Sequence, residues 1–166
     1  MKIYGVTGWK NTGKTGLMER IVAEMVARGL TVSTVKHAHH DTETDHPGRD
    51  SFRHRTAGAT EVMLSSPRRW ALMHELRDAP EPQLAEMLAR LSPVDLVLIE
   101  GYKRAEHPKI EAHRAAAGRD VLARSNQTIK AVASDTALEG LAQPVFHLDD
   151  TAGIADFILC DLGLSA

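Results

Sequence analysis

Lys2-Ile3-Tyr4-Gly5-Val6-Thr7-Gly8-Trp9-Lys10-Asn11-Thr12-Gly13-Lys14-Thr15-Gly16 runs from apolar, β-prone residues straight into a polar segment bounded by glycines. Lys2 to Val6 predicts a strand. Gly13 to Arg28 predicts a helix, because Leu17, Met18, Ile21, Val22, Met25 and Val26 recur at helical intervals opposite Glu19, Arg20 and Glu24. Between them, Gly8 to Thr15 satisfies the spacing G-x-x-x-x-G-K-[ST] in full. Strand, glycine loop and helix N-terminus in this order make a phosphate-binding loop: the glycines let successive N–H groups turn inward, and the first helical N–H groups complete the anion nest. Lys14 is expected to reach the terminal phosphates of a nucleotide, and the Thr15 hydroxyl to take a place on Mg²⁺. The expected nucleotide-binding segment is therefore Gly8, Trp9, Lys10, Asn11, Thr12, Gly13, Lys14, Thr15 and Gly16. Lys10 reads equally well as a phosphate neighbour and as a solvated loop lysine.

The rest of the chain alternates strands and helices around this nucleus. Strands are predicted at Thr31 to Lys36, Val94 to Glu100, Lys109 to His113, Ile129 to Ala133 and Pro144 to Leu148. Helices are predicted from Asp50-Ser51 towards Gly58, over Glu81 to Leu91, and after Asp149 or Asp150. Thr60 to Ser65 and Arg69 to Glu75 flank Ser66-Pro67-Arg68 and predict an antiparallel hairpin, with Val62, Leu64, Trp70, Leu72 and His74 at period-two spacing. The expected fold is α/β: a three-layer P-loop nucleotide-binding domain over residues 1–166, with a mainly parallel sheet and an inserted antiparallel hairpin.

Composition narrows the function. The chain has 166 residues, 20 Lys and Arg against 22 Asp and Glu, and one cysteine, Cys160. The near-neutral balance argues against general affinity for nucleic acid or anionic membranes. A lone cysteine forms neither an internal disulfide nor a cysteine zinc site, which points to a reducing, cytoplasmic setting. No signal-peptide pattern and no apolar run of about 18 residues is present, so no membrane span is expected.

Two further stretches carry chemistry. Asp95-Leu96-Val97-Leu98-Ile99-Glu100-Gly101 is an apolar strand ending in a carboxylate, and at the carboxyl end of a central strand Glu100 is expected to complete the Mg²⁺ shell beside Thr15. Lys103, two residues beyond Gly101, either faces the nucleotide or lies on the surface. The second stretch, Lys36 to Arg55, holds five of the nine histidines. His37, His39 and His40, with Arg49, Arg53 and Arg55, read as an anion-binding or partner surface, and one of Asp41, Asp45 and Asp50, with Asp41 taken first, as a candidate near Mg²⁺. Zinc binding by these histidines is the alternative, disfavoured because they lack a helical i, i+4 spacing.

Gly8 to Thr15, Val35-Lys36-His37-Ala38-His39-His40-Asp41, Pro47-Gly48-Arg49-Asp50-Ser51, Arg53 to Ala59 and Leu98-Ile99-Glu100-Gly101-Tyr102-Lys103 form an ordered set. Together with Arg69-Trp70-Ala71-Leu72-Met73, Pro108-Lys109-Ile110-Glu111 and Ala131-Val132-Ala133-Ser134-Asp135, this set resembles the MobB family, the GTP-binding adapter proteins of molybdopterin-guanine dinucleotide biosynthesis. The resemblance implies a Mg²⁺-dependent, weakly hydrolysing GTP-binding homodimer that acts beside the guanylyltransferase MobA on molybdopterin, with Gly13, Lys14 and Thr15 holding the phosphates. The Asn-Lys-x-Asp pattern by which many GTPases read guanine is absent, so GTP over ATP rests on the resemblance. Asp135 is a candidate acceptor for the guanine edge, or else a turn residue. Two other classes share the loop: a small-molecule kinase with Arg49, Arg53 and Arg55 as phosphate clamps, and a GTP-regulated metal or cofactor chaperone.

Overall fold

Side chains alternate across a strand, and in this protein the two faces of the central strands are chemically different. The computed structural model describes residues 1–38 and 45–164. These form two compact units, one made of residues 1–37 and 87–166 and the other of residues 38–86.

The larger unit is built on six parallel strands: β1 (Lys2–Thr7), β2 (Val32–Lys36), β5 (Leu96–Glu100), β6 (Lys109–His113), β7 (Ile129–Ser134) and β8 (Val145–His147). They lie in the order β2-β5-β1-β6-β7-β8. The phosphate-loop strand is therefore central, with Val6 level with Glu100 on one side and Ile110 on the other. One face is apolar: Tyr4, Val6, Leu96, Leu98, Ile110, Ala112, Ala131 and Ala133 bury against Leu17, Ile21 and Met25 of α1 (Lys14–Ala27) and Ile154 and Ile158 of α4 (Thr151–Leu162). Burial of side chains this size contributes roughly 1.5 to 3 kcal/mol each. Of the two candidate caps of α4, Asp149 and Asp150, it is Asp150 whose side chain accepts from the Gly153 N–H.

The other face is polar where β6 crosses it. Lys109 and Glu111 are fully buried and His113 nearly so, and each is satisfied by irregular chain laid over the sheet. Lys109 donates to carbonyl oxygens, Glu111 accepts from the N–H groups of Leu122 and Ala123, and His113 meets the Ser134 hydroxyl and the Arg119 carbonyl. Buried polar groups persist only with such partners. This face is covered by turns, including the 3-10 turns Ala115–Ala117 and Leu122–Arg124, with a small cluster of Val121, Ala123, Ile129 and Val132.

In the smaller unit, α2 (Asp50–Thr56) precedes a hairpin of β3 (Glu61–Ser65) and β4 (Trp70–His74). Arg49, not Asp50 or Ser51, occupies the cap position, and no side chain caps the helix. Asp50 instead sits in the first turn, where a carboxylate favours the helix dipole. Register splits the expected period-two set. Leu72 lies opposite Met63 and Trp70 opposite Ser65, so Trp70, Leu72 and Met63 share one face while Val62, Leu64, Ala71 and Met73 share the other. Val62 is buried, whereas Met63, Trp70 and Leu72 are 63%, 65% and 40% exposed. The predicted helix over Glu81 to Leu91 is shorter than its periodicity suggests: α3 spans Leu84–Ala89 and buries no residue.

Candidate functional site

The loop between β1 and α1 is shaped by backbone that only particular residues tolerate. Gly8 has φ +141°, and a Cβ there would strike the Ala112 carbonyl oxygen and the Thr12 hydroxyl. Asn11 takes φ +65°, a region that asparagine enters more readily than most residues. Thr12 is buried, and its hydroxyl donates to the Trp9 carbonyl at 2.8 Å. Gly13 occupies the cap position of α1 with φ +88° and no capping side chain, and the first turn of the helix holds no acidic residue. Its free N–H groups and positive dipole end therefore face the loop unneutralised.

Three ammonium groups surround that end. The Lys14 Nζ donates to the Trp9 carbonyl oxygen, folding the side chain back over the loop. Lys103 Nζ stands 4.3 Å from the centre of the Trp9 ring, and Lys36 lies at the end of β2, level with Glu100. Burial first and then the Lys103 charge hold the Lys14 ammonium below the usual lysine range; Glu100 pulls the other way, and the Lys36 charge adds a smaller push downward. Glu100 is buried at the tip of β5, accepts from the Thr15 hydroxyl at 3.2 Å, and lies 3.6 Å from Lys36 Nζ. The two expected Mg²⁺ ligands are thus adjacent, and their hard oxygens suit that ion.

Around the loop, the Trp9 indole N–H donates to the Asp120 carbonyl at 2.9 Å, and the Arg119 guanidinium lies 5.8 Å from its ring. Trp9, Lys10, Asn11, Ala116, Ala117 and Arg119 line a cavity of ≈ 440 Å³. Asp135 lines a separate cavity of ≈ 360 Å³ at the ends of β7 and β8, and one of its oxygens accepts from the Ala115 N–H at 3.0 Å. Gly16 lies in the first turn of α1, and His37 stacks on Tyr102 at 4.5 Å immediately beside Glu100.

A family model for molybdopterin guanine dinucleotide synthesis protein B, MobB, matches residues 3–135. The chain belongs to the MobB family. It is 39% identical over 160 residues to the molybdopterin-guanine dinucleotide biosynthesis adapter protein of Escherichia coli K12, covering 95% of this chain and 91% of that one. Its identity to the adapter protein of the same name in Haemophilus influenzae is 36%, over 94% of this chain and 86% of that one. Among solved structures, Bacillus subtilis MobB superposes with a TM-score of 0.76 at 27% identity, covering 98% of both chains. A MobB homologue from Bacillus stearothermophilus superposes with a TM-score of 0.71 at 32% identity, over 98% of this chain and 99% of that one.

In this MobB-family chain the residues read from the sequence divide into groups. Gly8 to Gly16, Glu100 and Lys103 come together at one end of the sheet. Arg49 and Arg53 are exposed in the smaller unit, where Arg53 lies 3.7 Å from Asp50. Arg55 is committed within that unit: it binds Glu75 at 2.7 Å, lies 3.9 Å from Asp45, and keeps only 14% of its side chain exposed. His39, His40 and Asp41 lie outside the described residues. Among the described residues no three His, Cys, Asp or Glu side chains gather in a way that would hold a metal ion, and no helix is long and apolar enough to cross a membrane. The sequence reading missed Lys36 as a partner of Glu100, although two parallel strands ending together would have signalled it. It also missed Arg119 and Asp120, whose approach to Trp9 spans more than a hundred residues and leaves no local signal.

Proposed function

We propose that this MobB-family adapter protein binds GTP with Mg²⁺ at the phosphate loop, hydrolyses it slowly, and assists a guanylyltransferase in making molybdopterin guanine dinucleotide in the cytoplasm. The observation that carries the reading is the crowding of Lys14, Lys103 and Lys36 at a helix end with no acidic residue in its first turn. Three cations gathered at a helix N-terminus call for a polyanion, and a triphosphate supplies it. Thr15 and Glu100 would hold Mg²⁺, which when bound neutralises phosphate charge. Slow turnover fits a site in which the buried carboxylate beside Thr15, Glu100, is already engaged by Thr15 and Lys36. The guanine preference and the guanylyltransferase partner come from the family resemblance, and Asp135 stays a candidate acceptor for a guanine edge.

Trp9 tests this directly. The chain has two tryptophans, so Trp70→Phe leaves Trp9 as the only indole reporter. Its emission is expected to change saturably with Mg²⁺ and GTP at micromolar concentration, less without Mg²⁺, and ATP is expected to compete weakly. No response and no binding by calorimetry would overturn the reading, and equal competition by ATP would remove guanine from it.

We propose further that the chain forms a homodimer through the hairpin of β3 and β4. Met63, Trp70 and Leu72 present apolar surface on one face of a two-stranded sheet, which water alone covers poorly. Trp70→Glu with Leu72→Glu is expected to convert the dimer to monomer by light scattering; an unchanged mass would move the contact elsewhere.

A further inference from the structure

Lys109 is fully buried at the start of β6 and takes no part in the site just described. Its ammonium has three N–H bonds and meets three oxygens: the carbonyls of Ala105 and His107 at 2.5 and 2.8 Å, and the Thr128 hydroxyl at 2.8 Å. A buried charge is tolerated only when its donors are matched in this way. The partners have a common feature, in that two belong to the segment between Glu100 and β6 and the third continues a hydrogen-bonded line. Thr128 donates its hydroxyl proton to Asn126 Oδ1 at 2.6 Å, its own N–H meets the same oxygen at 3.0 Å, and Asn126 Nδ2 donates to the Lys103 carbonyl at 3.2 Å. The line ends on the residue whose ammonium stands over Trp9.

The segment that carries Lys103 is held at its start by the stack of Tyr102 on His37. Gly101 and Tyr102 both have positive φ, +98° and +45°. The Gly101 N–H is tied to Val6 O and the Ala105 N–H to Tyr102 O, which sets the entry and the turn. Lys103 itself is located by Asn126. Covering a polar sheet face with turns would leave such a segment free to adopt several courses, and the Lys109 ammonium selects one.

We propose that the buried Lys109, with the half-buried Thr128 and Asn126, forms a clamp that positions Lys103 over Trp9 at the phosphate loop. Lys109 and Asn126 are positioning residues, acting on the ligand only through Lys103. The proposal rests on the polyphosphate reading of the site, and its test separates the two. In the Trp70→Phe background, Lys103→Ala removes the cation over the indole and is expected to change Trp9 emission in protein without ligand. Asn126→Ala is expected to reproduce that change, and to weaken binding of both Mg²⁺ with GTP and inorganic triphosphate by about fivefold, the scale of one desolvated cation contact. Asn126→Ala combined with Lys103→Ala is expected to bind no more weakly than Lys103→Ala alone. Thr128→Val, which breaks the line one step earlier, is expected to behave like Asn126→Ala, so the outcome does not depend on whether Lys109→Met folds. Unchanged Trp9 emission in Asn126→Ala, or affinity losses that add in the double variant, would overturn the clamp. If the parent protein binds neither ligand, the nucleotide reading falls and the emission comparison still decides the clamp.

Discussion

Lys14→Ala is expected to weaken binding of Mg²⁺ with GTP by about 100-fold or more, a loss of at least two charge-assisted hydrogen bonds to phosphate. The folded protein is expected to survive the change. In the structure described above the Lys14 ammonium is held below its usual range by burial and by Lys103 and Lys36, and it donates to a carbonyl, that of Trp9, which belongs to its own loop. Removing it relieves repulsion in the ligand-free state while deleting an attraction that exists only once phosphate arrives. Calorimetric titration and a thermal melt of the same sample check the two halves. Near-parental affinity would contradict the assignment of the loop, and loss of the fold would show that Lys14 is a structural residue.

The second large effect concerns acid. His107 is 7% exposed, and neither ring nitrogen has a hydrogen-bond partner in the structure. It lies against Gly5, where a Cβ would come within 2.6 Å of its Nε2. Burial, reinforced by the neighbouring Lys109 ammonium, pushes its pKa down to about 4. In the unfolded chain the same imidazole titrates near its ordinary value of 6.5. Between these values the unfolded chain binds a proton that the folded chain does not, so the free energy of unfolding falls as pH falls from about 6.5 towards 4 and is not lowered further by this group below that. The loss across the window is expected to be about 2 to 3 kcal/mol. Urea midpoints at neutral and acid pH measure it, and His107→Leu, which fills similar space without a titrating ring, is expected to flatten the dependence. Parallel curves for the two proteins would place the acid sensitivity elsewhere.

What was legible in the sequence follows from how local each signal is. The phosphate loop is a contiguous run whose flanks carry their own periodicities, so Gly8 to Thr15 could be placed between β1 and α1 without any distant contact. The strand ending in Glu100 was equally visible, since β5 is buried along its whole length and reads as an unbroken apolar run. The hairpin was recognised but its faces were not, because period-two spacing says nothing about which residue of the second strand stands opposite Met63. Lys109 to His113 was read as a strand from its ends, yet the burial of Lys109, Glu111 and His113 runs against their chemistry. That burial is made possible largely by carbonyls and N–H groups of segments 105–107 and 119–123, with the Thr128 and Ser134 hydroxyls, and backbone groups leave no mark on the sequence. The same holds for Arg55, which was read as an anion-facing cation and is in fact closed onto Glu75.

The order of the sheet has a consequence for how the protein is made. β1 is made well before both its neighbours, β5 and β6, which begin beyond residue 95. Until β5 has been synthesised, the strand that launches the phosphate loop has no sheet partner on either side, and α1 has no sheet to cover. Parallel pairing over such sequence distances is slow to form, and an apolar strand waiting for it is exposed to wrong partners. The phosphate-loop end of this molecule is therefore encoded about ninety residues before the strands that complete it.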